Sequence, residues 1–195
     1  RLQDWISAGA MRQLAGRRVF VRTAVTPGRP PLLLIHGYPT ASYDWIRVWP
    51  RLAARHSLYA LDLLGFGRSE KPRDSDYPIE LQADLCMALL DDRGVGNAHV
   101  LAHDYGDTVA QELLARFEER RASGVPGPEL RSVCFLNGGL FPESHQPRPV
   151  QVALHRALGQ VQLIRHLLVA HALEVSEHHR LPQLRGKLVE AAAQE

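Results

Sequence analysis

Hydrophobic positions along the chain form short apolar runs that alternate with amphipathic segments. Strands are predicted at 17–25, 31–35, 57–64, 97–102 and 130–136, where apolar residues are continuous or alternate between turn residues. Helices are predicted at 43–55, 79–91 and 107–121, where apolar residues recur every three or four positions. The segment 17–25 is expected to be an edge strand. Strands that alternate with helices indicate an α/β fold, with a mostly parallel sheet covered by helices on both faces.

The pattern changes after the last predicted strand. Prolines at 142, 147 and 149 form an irregular link, residues 150–175 return apolar positions at helical spacing, and the tail is polar. We therefore assign 1–149 to the α/β core and 150–195 to one or two helices and a polar tail. No strand pattern returns, so we expect the chain to end before the closing strands. A sheet edge left uncovered in this way favours self-association.

Composition and charge narrow the classes of partner. The net charge is +2, from 23 basic and 21 acidic residues that are spread along the chain, so no nucleic-acid partner is predicted. No apolar run approaches the roughly 18 residues of a membrane span, and residues 1–30 lack a signal-peptide pattern. Because the chain begins at Arg1, membrane association is expected only through a preceding N-terminal segment. Cys86 and Cys134 stand among apolar residues, which predicts buried free thiols.

The segment that carries candidate chemistry surrounds Asp104. It lies where the predicted strand 97–102 turns into the predicted helix 107–121, with Ala102 two positions before it and Gly106 two positions after it. Small residues at these two positions let a strand and a helix approach closely around a sharp turn, which is the pattern of a nucleophile elbow. The alternative is that Asp104 only caps the helix.

An aspartate at such a turn suits a particular reaction. Its carboxylate is ionised at neutral pH and is further stabilised by the N-terminus of the following helix, so it needs no base to activate it. Its natural target is a saturated carbon with a strained or good leaving group, which it attacks to give an alkyl ester. Water activated by a histidine must then hydrolyse that ester, so further residues are required.

Three motifs resemble the epoxide hydrolase and haloalkane dehalogenase branch of the α/β-hydrolases. They are HGYPTASYDW at 36–45, LDLLGFGRSEKP at 61–72 and AHDYGDTVAQELL at 102–114. Together with LNGGLFPESHQP at 136–147 they are most similar to the mesoderm-specific transcript-like hydrolases. The resemblance covers about residues 15–150 and implies the α/β-hydrolase fold. It also implies that the residues from 150 onward begin the helical cap that covers the pocket.

The resemblance implies a role for each matched site residue. Asp104 is the implied nucleophile, and the backbone N–H groups of Tyr38 and Tyr105 are the implied oxyanion hole. Supporting positions are implied for His36, Gly37, His103 and Gly106. Family members place the partner acid after the strand that ends near Leu136 or after a later one, and the catalytic histidine after the last strand. The first acid position is Asn137, so the catalytic histidine and acid are expected to be absent from this chain, which alone would be inactive.

Two tyrosines bear on the substrate that the resemblance implies. Haloalkane dehalogenases typically hold the departing halide with a tryptophan after the nucleophile and an asparagine after the His-Gly pair, whereas this chain has Tyr105 and Tyr38. A small hydrophobic epoxide therefore fits better than a haloalkane. The leading prediction is an epoxide hydrolase-like enzyme. A haloalkane dehalogenase-like enzyme and a truncated, non-catalytic isoform or pseudoenzyme that binds a partner are the alternatives.

Other polar residues are expected to be structural. Asp62, in the pattern D-x-x-G-x-G-x-S, is expected to hydrogen-bond its own loop, and Asp107 suits the first turn of a helix. The histidines lack metal-ligand spacing, and Gly65 and Gly67 do not complete a dinucleotide fingerprint, so no metal or cofactor is predicted. An intracellular location is expected, and the resemblance allows association with the endoplasmic reticulum.

Overall fold

A computed structural model of the protein describes residues 1–73 and 76–137. In chain order its elements are α1 (Leu2–Ser7), β1 (Ala10–Leu14), β2 (Arg17–Ala24), β3 (Pro31–Ile35), a 3-10 helix (Ser42–Arg47), α2 (Trp49–Ala53), β4 (Ser57–Leu61), α3 (Ile79–Asp92), β5 (Asn97–His103), α4 (Tyr105–Ala122) and β6 (Glu129–Leu136). The predicted helices at 150–175 and the predicted boundary at 149 lie outside the described residues.

The six strands form one sheet in the order β1-β2-β4-β3-β5-β6. Strands β4, β3, β5 and β6 pair in parallel, whereas β1 and β2 pair antiparallel with each other and β2 pairs antiparallel with β4. The predicted mostly parallel sheet is confirmed. Because β3 lies between β4 and β5, the chain leaves β3 toward one side and returns at β5 on the other. Such a switch point opens a crevice at the carboxyl ends of the strands, where α/β sheets bind ligands.

The alternating side chains of β3 show how both faces of the sheet are covered. Leu33 and Ile35 pack into a core cluster that includes residues of α3 and α4. Leu32 and Leu34 pack on the other face, in a cluster that includes the tryptophans of α1, the 3-10 helix and α2. A strand buried on both faces explains the continuous apolar run at 31–35. The prediction of helices on both faces is confirmed.

Two details of the sequence-based prediction are corrected. Residues 17–25 do not form an edge strand, since β2 lies between β1 and β4 and its central residues Val19, Phe20 and Val21 are buried. The helix predicted at 43–55 is a 3-10 helix followed by α2, with the break at Val48 and Pro50 in the first turn of α2. Proline is favoured there because its missing N–H has no partner in the first turn of a helix.

The strand β6 stands at the end of the described sheet. Within residues 1–73 and 76–137 it pairs with β5 alone. None of the helices in the described part of the chain is long and apolar enough to cross a membrane.

Candidate active site

Asp104 occupies a sharp turn between β5 and α4. Its φ of 53° and ψ of −116° lie outside the regions that a residue with a side chain normally adopts. Two backbone hydrogen bonds hold this conformation: the N–H of Asp104 donates to the carbonyl of Leu136 at 3.0 Å, and the N–H of Asp107 donates to the carbonyl of Asp104 at 2.9 Å. A conformation of this kind costs about 1–3 kcal/mol and persists only where its surroundings enforce it.

Residues without bulky side chains allow the chain to pack around this turn. A Cβ at Gly106 would lie 2.6 Å from the carbonyl oxygen of Ile35 and 2.7 Å from that of His36. A Cβ at Gly37 would lie 2.7 Å from the Cβ of Asp104. The turn after β3 and the turn after β5 therefore touch through positions that only glycine fills. The strand-to-helix turn predicted from the small residues is present.

Two backbone N–H groups hold one oxygen of the Asp104 carboxylate. Oδ1 accepts a hydrogen bond from the N–H of Tyr38 at 2.8 Å and another from the N–H of Tyr105 at 2.6 Å. Oδ2 accepts none from the described residues. The loop after β3 and the first residue of α4 thus converge on Oδ1 and not on Oδ2.

The same contacts act on the ionisation of Asp104. The N–H of Tyr38 lowers the pKa of Asp104, burial opposes this by raising it, and the N–H of Tyr105 and the positive potential of His103 lower it further. The net direction is downward because hydrogen bonds to the charged form favour that form. Asp104 is therefore a carboxylate at neutral pH.

His36 is buried, and both nitrogens of its ring are engaged. Nε2 accepts a hydrogen bond from the N–H of Leu63 at 2.9 Å, so Nδ1 carries the proton and donates it to the carbonyl of Gly37 at 2.8 Å. Burial lowers the pKa of His36, which favours this neutral form. The ring thereby ties the loop after β3 to the loop after β4.

His103 is half-buried beside the turn that carries Asp104. Its Nδ1 lies 2.9 Å from the point that a Cβ on Gly37 would occupy. It is close enough to Asp104 to lower the pKa of that carboxyl group. His103 therefore contributes to the electrostatic surroundings of Asp104 from the end of β5.

Phe66 is a site residue that the sequence reasoning missed. Its ring contacts three rings around the turn that carries Asp104, those of His36, Tyr38 and Tyr105, with centroids 5.4, 6.1 and 5.8 Å away. Distances of 4.5–7 Å are usual for packed aromatic pairs. The signal that could have found it is its place between Gly65 and Gly67, which turn the chain on both sides of one large apolar residue.

Asp62 organises the loop that carries Phe66. Oδ1 accepts hydrogen bonds from the N–H and the hydroxyl of Ser42, and Oδ2 accepts one from the N–H of Arg68 at 2.8 Å. The hydrogen bonds from Ser42 also anchor the start of the 3-10 helix, a role of Asp62 that the sequence did not indicate. The contact with Arg68 confirms the expected hydrogen bond within its own loop.

Two further residues lie at this edge of the sheet. Asp107 is buried in the first turn of α4, and its Oδ1 faces the N–H of Leu136 at 3.4 Å. Asn137 is exposed directly after β6, with a φ of 57°. No group of three or more potential metal ligands occurs among the described residues.

A separate surface cavity lies away from Asp104. Its volume is about 450 Å³, and it is lined by residues of the C-terminal end of α4 and of the loop that leads to β6. Asp104 stands at the opposite end of α4, where β5 ends. The two sites therefore lie at opposite edges of the sheet.

Comparison with known proteins identifies the family. A family model described as the α/β-hydrolase fold matches residues 30–191. The human mesoderm-specific transcript homolog protein is 44% identical over 158 residues, which are 78% of this chain and 46% of that protein. The chain thus spans about half the length of the curated relatives it matches.

Solved structures agree with this result. A haloalkane dehalogenase from Bradyrhizobium elkani is similar with a TM-score of 0.57 and 32% identity, covering 67% of this chain and 41% of that chain. An epoxide hydrolase without ligand is similar with a TM-score of 0.59 and 28% identity, covering 74% of this chain and 48% of that chain. The chain belongs to the α/β-hydrolase fold family.

Proposed function

We propose that Asp104 is the nucleophile of a hydrolase that forms an alkyl ester with its substrate, and that the substrate is an epoxide. One observation carries the proposal: the N–H groups of Tyr38 and Tyr105 hold Oδ1 of Asp104. Oδ2 accepts no hydrogen bond from the described residues. A carboxylate in this setting is ionised and oriented, and it keeps one oxygen with which to attack.

The first chemical step opens the epoxide. Oδ2 of Asp104 attacks a ring carbon, and the bond from that carbon to the ring oxygen breaks with its electron pair going to the oxygen. The resulting alkoxide takes a proton from a donor or from water. The protein then carries a hydroxyalkyl ester on Asp104, formed without a base because the carboxyl group is already ionised.

The second step hydrolyses the ester and uses the same two N–H groups. Water attacks Cγ of Asp104, and the electron pair of the ester carbonyl moves to Oδ1, which becomes the oxyanion. The N–H groups of Tyr38 and Tyr105 lie 2.8 and 2.6 Å from that oxygen before the reaction begins. They would therefore stabilise the charge without rearrangement. The carbonyl of the intermediate then re-forms as the bond from Cγ to the ester oxygen breaks, and that oxygen takes the proton lost by the water, which releases a diol and the free carboxylate.

The base that activates this water is proposed to lie outside residues 1–73 and 76–137. His36 is unsuitable because its Nε2 accepts from Leu63 and its Nδ1 donates to Gly37. A base must reach the proton that it removes, and a ring whose two nitrogens are each committed to a backbone group does not. Formation of the ester and its hydrolysis are therefore separable in this chain.

A haloalkane is the alternative electrophile, since solved haloalkane dehalogenases are similar to the chain. Halide departure requires donors that face the leaving group. The hydroxyl of Tyr105 instead donates to the carbonyl of Tyr77 at 3.5 Å. This supports an epoxide over a halide, because the side chain directly after the nucleophile is turned toward the protein.

The test is the intact mass of the protein after incubation with an aryl epoxide or, in parallel, a primary alkyl bromide. We expect one adduct of the epoxide, a smaller yield with the bromide, and none with Asp104→Asn. Release of more bromide by the wild-type chain than by Asp104→Asn would favour a haloalkane dehalogenase-like enzyme. No adduct from either reagent would contradict the proposal and would favour a non-catalytic binding protein.

A further inference from the structure

Gln82 is a fully buried polar residue in α3 whose side chain reaches out of its helix. Its Oε1 accepts a hydrogen bond from the N–H of Leu64 at 2.9 Å, and its Nε2 donates to the carbonyl of Leu64 at 3.0 Å. One amide therefore satisfies both backbone groups of a single loop residue. Such a pair mimics the pairing of two strands and holds the loop in one register.

The clamped residue lies two positions before Phe66. Gly65, between them, has a φ of 90°, and its N–H donates to the carbonyl of Glu70 at 2.9 Å. The loop is thus held at both ends of a tight turn. The ring of Phe66 is thereby held against Tyr38 and Tyr105.

Tyr105 is held from a second direction as well. Its hydroxyl donates to the carbonyl of Tyr77, just before α3 begins. Burial raises the pKa of Tyr105, and a hydrogen bond with the side chain of Gln82 opposes this. Through Leu64 and Phe66, Gln82 therefore acts on both tyrosines.

From these contacts we infer that Gln82 is a positioning residue that keeps the N–H groups of Tyr38 and Tyr105 aligned on Oδ1 of Asp104. Its amide is hydrogen-bonded to the backbone of Leu64 rather than to Asp104. Its effect passes through the loop that carries Phe66 and through the side chain of Tyr105. The role of Gln82 in catalysis rests on the proposed function, whereas its effect on the ionisation of Asp104 does not.

The readout that separates positioning from general stability is the ionisation of Asp104. Loosening the two N–H groups removes hydrogen bonds from the charged form, so the pKa of Asp104 should rise toward its ordinary value. The titratable groups around this carboxylate are His103 on β5 and the tyrosines Tyr38 and Tyr105. None of these three residues is itself substituted in the Gln82 variant, so a shift of the titration reports the alignment of the two N–H groups.

The experiment is a carbon-13 NMR titration of the full chain labelled at aspartate carboxyl groups, with the Asp104 signal assigned by its loss in Asp104→Asn. Gln82→Met keeps the length of the side chain and removes its hydrogen bonds, and we expect it to raise the pKa of Asp104. Leu89→Ala is the control, since Leu89 is fully buried two turns along the same helix. It should lower stability and leave this titration unchanged.

A second variant keeps the inference testable if Gln82→Met does not fold. Phe66→Leu leaves the clamp on Leu64 and removes the ring contacts with Tyr38 and Tyr105, so it should shift the Asp104 titration in the same direction. An unchanged titration in the folded variants, or an equal shift in Leu89→Ala, would overturn the inference.

The rate of epoxide adduct formation distinguishes this inference from the proposed function. In the first step the two N–H groups orient the attacking carboxylate, so loosening them should slow formation of the adduct by roughly tenfold. A shifted titration in Gln82→Met with no adduct in the wild-type chain would support the positioning role and contradict the nucleophile. An adduct on the wild-type chain together with an unshifted titration in Gln82→Met would support the nucleophile and contradict the positioning role.

Discussion

The N–H of Tyr38 donates a hydrogen bond of 2.8 Å to Oδ1 of Asp104, across 66 positions of sequence. This bond joins the loop after β3 to the turn after β5, on two strands that are neighbours in the sheet. It also defines which carboxylate oxygen is held and which one, in the proposed reaction, attacks the substrate. The proposed chemistry depends on this asymmetry, and the predictions below test the parts that maintain it.

The first prediction concerns the space at Gly106. Alanine is the better helix former by about 1 kcal/mol, yet its Cβ would meet the backbone oxygens of Ile35 and His36 at 2.6 and 2.7 Å. We expect Gly106→Ala to lower the free energy of unfolding by about 1–3 kcal/mol, as overpacking does. Urea unfolding measures the change.

Gly96→Ala is the matched control for this experiment. A Cβ at Gly96 would meet nothing within 4 Å. Its effect should be neutral or slightly stabilising, since a residue with fewer unfolded conformations replaces glycine. Equal stabilities of the two variants would show that the turn does not need the close approach seen at Gly106.

The second prediction concerns Asp62, which accepts three hydrogen bonds with its two carboxylate oxygens. An asparagine keeps the shape but turns an –NH₂ group toward one of the donors, Ser42 or Arg68. We expect Asp62→Asn to cost about 1.5–3 kcal/mol in unfolding free energy, the usual range for hydrogen bonds to charged groups. Asp84→Asn removes a partly exposed ion pair with Arg116 and should cost no more than about 1 kcal/mol. A smaller loss for Asp62→Asn than for Asp84→Asn would contradict the assigned role.

The third prediction is a pH dependence of stability. The pKa of Asp104 is lowered in the folded chain, chiefly by the N–H of Tyr38, so folding favours the ionised carboxyl group. Its contribution to stability is complete above the unfolded pKa of about 3.9 and is lost as the pH falls through the lower folded pKa. The difference in unfolding free energy between wild type and Asp104→Asn should therefore shrink below about pH 4. A difference that stays constant or grows in acid would be inconsistent with the hydrogen bonds to Oδ1.

The fourth prediction contrasts two tyrosine hydroxyls. That of Tyr105 donates to the carbonyl of Tyr77, whereas the side chain of Tyr38 is 69% exposed. Tyr105→Phe should lower the unfolding free energy by about 1 kcal/mol, the net value of one hydrogen bond. Tyr38→Phe should stay within about 0.5 kcal/mol of wild type, as surface changes do. Chemical denaturation of both variants checks the difference, and a larger loss in Tyr38→Phe would contradict the assigned contacts.

Local patterns in the sequence accounted for much of the fold. The continuous apolar run at 31–35 predicted a buried strand, and the small residues around Asp104 predicted a sharp turn. Each of these features depends on residues that are neighbours in the sequence. By contrast, α1 and β1 were missed, since the residues of β1 are exposed except for Leu14 and carry no apolar period.

The parts of the site that were missed depend on contacts between distant segments. Gln82 is one polar residue within an amphipathic helix, and its pairing with Leu64 joins positions 18 apart. Phe66 is one apolar residue in a loop, and its partners come from the loop after β3 and from α4. Only the folded arrangement of β3, β4 and β5 brings these residues together.

The most direct test of the central claim is the location of an epoxide adduct within the protein. Trypsin cleaves after Arg93 and Arg116, which leaves one peptide, 94–116, that holds Asp104 together with Asp107 and Glu112. Fragmentation of this peptide distinguishes the three carboxyl groups. The account predicts an ester on Asp104 alone, absent from Asp104→Asn. An adduct on another residue, or one that persists in that variant, would contradict it.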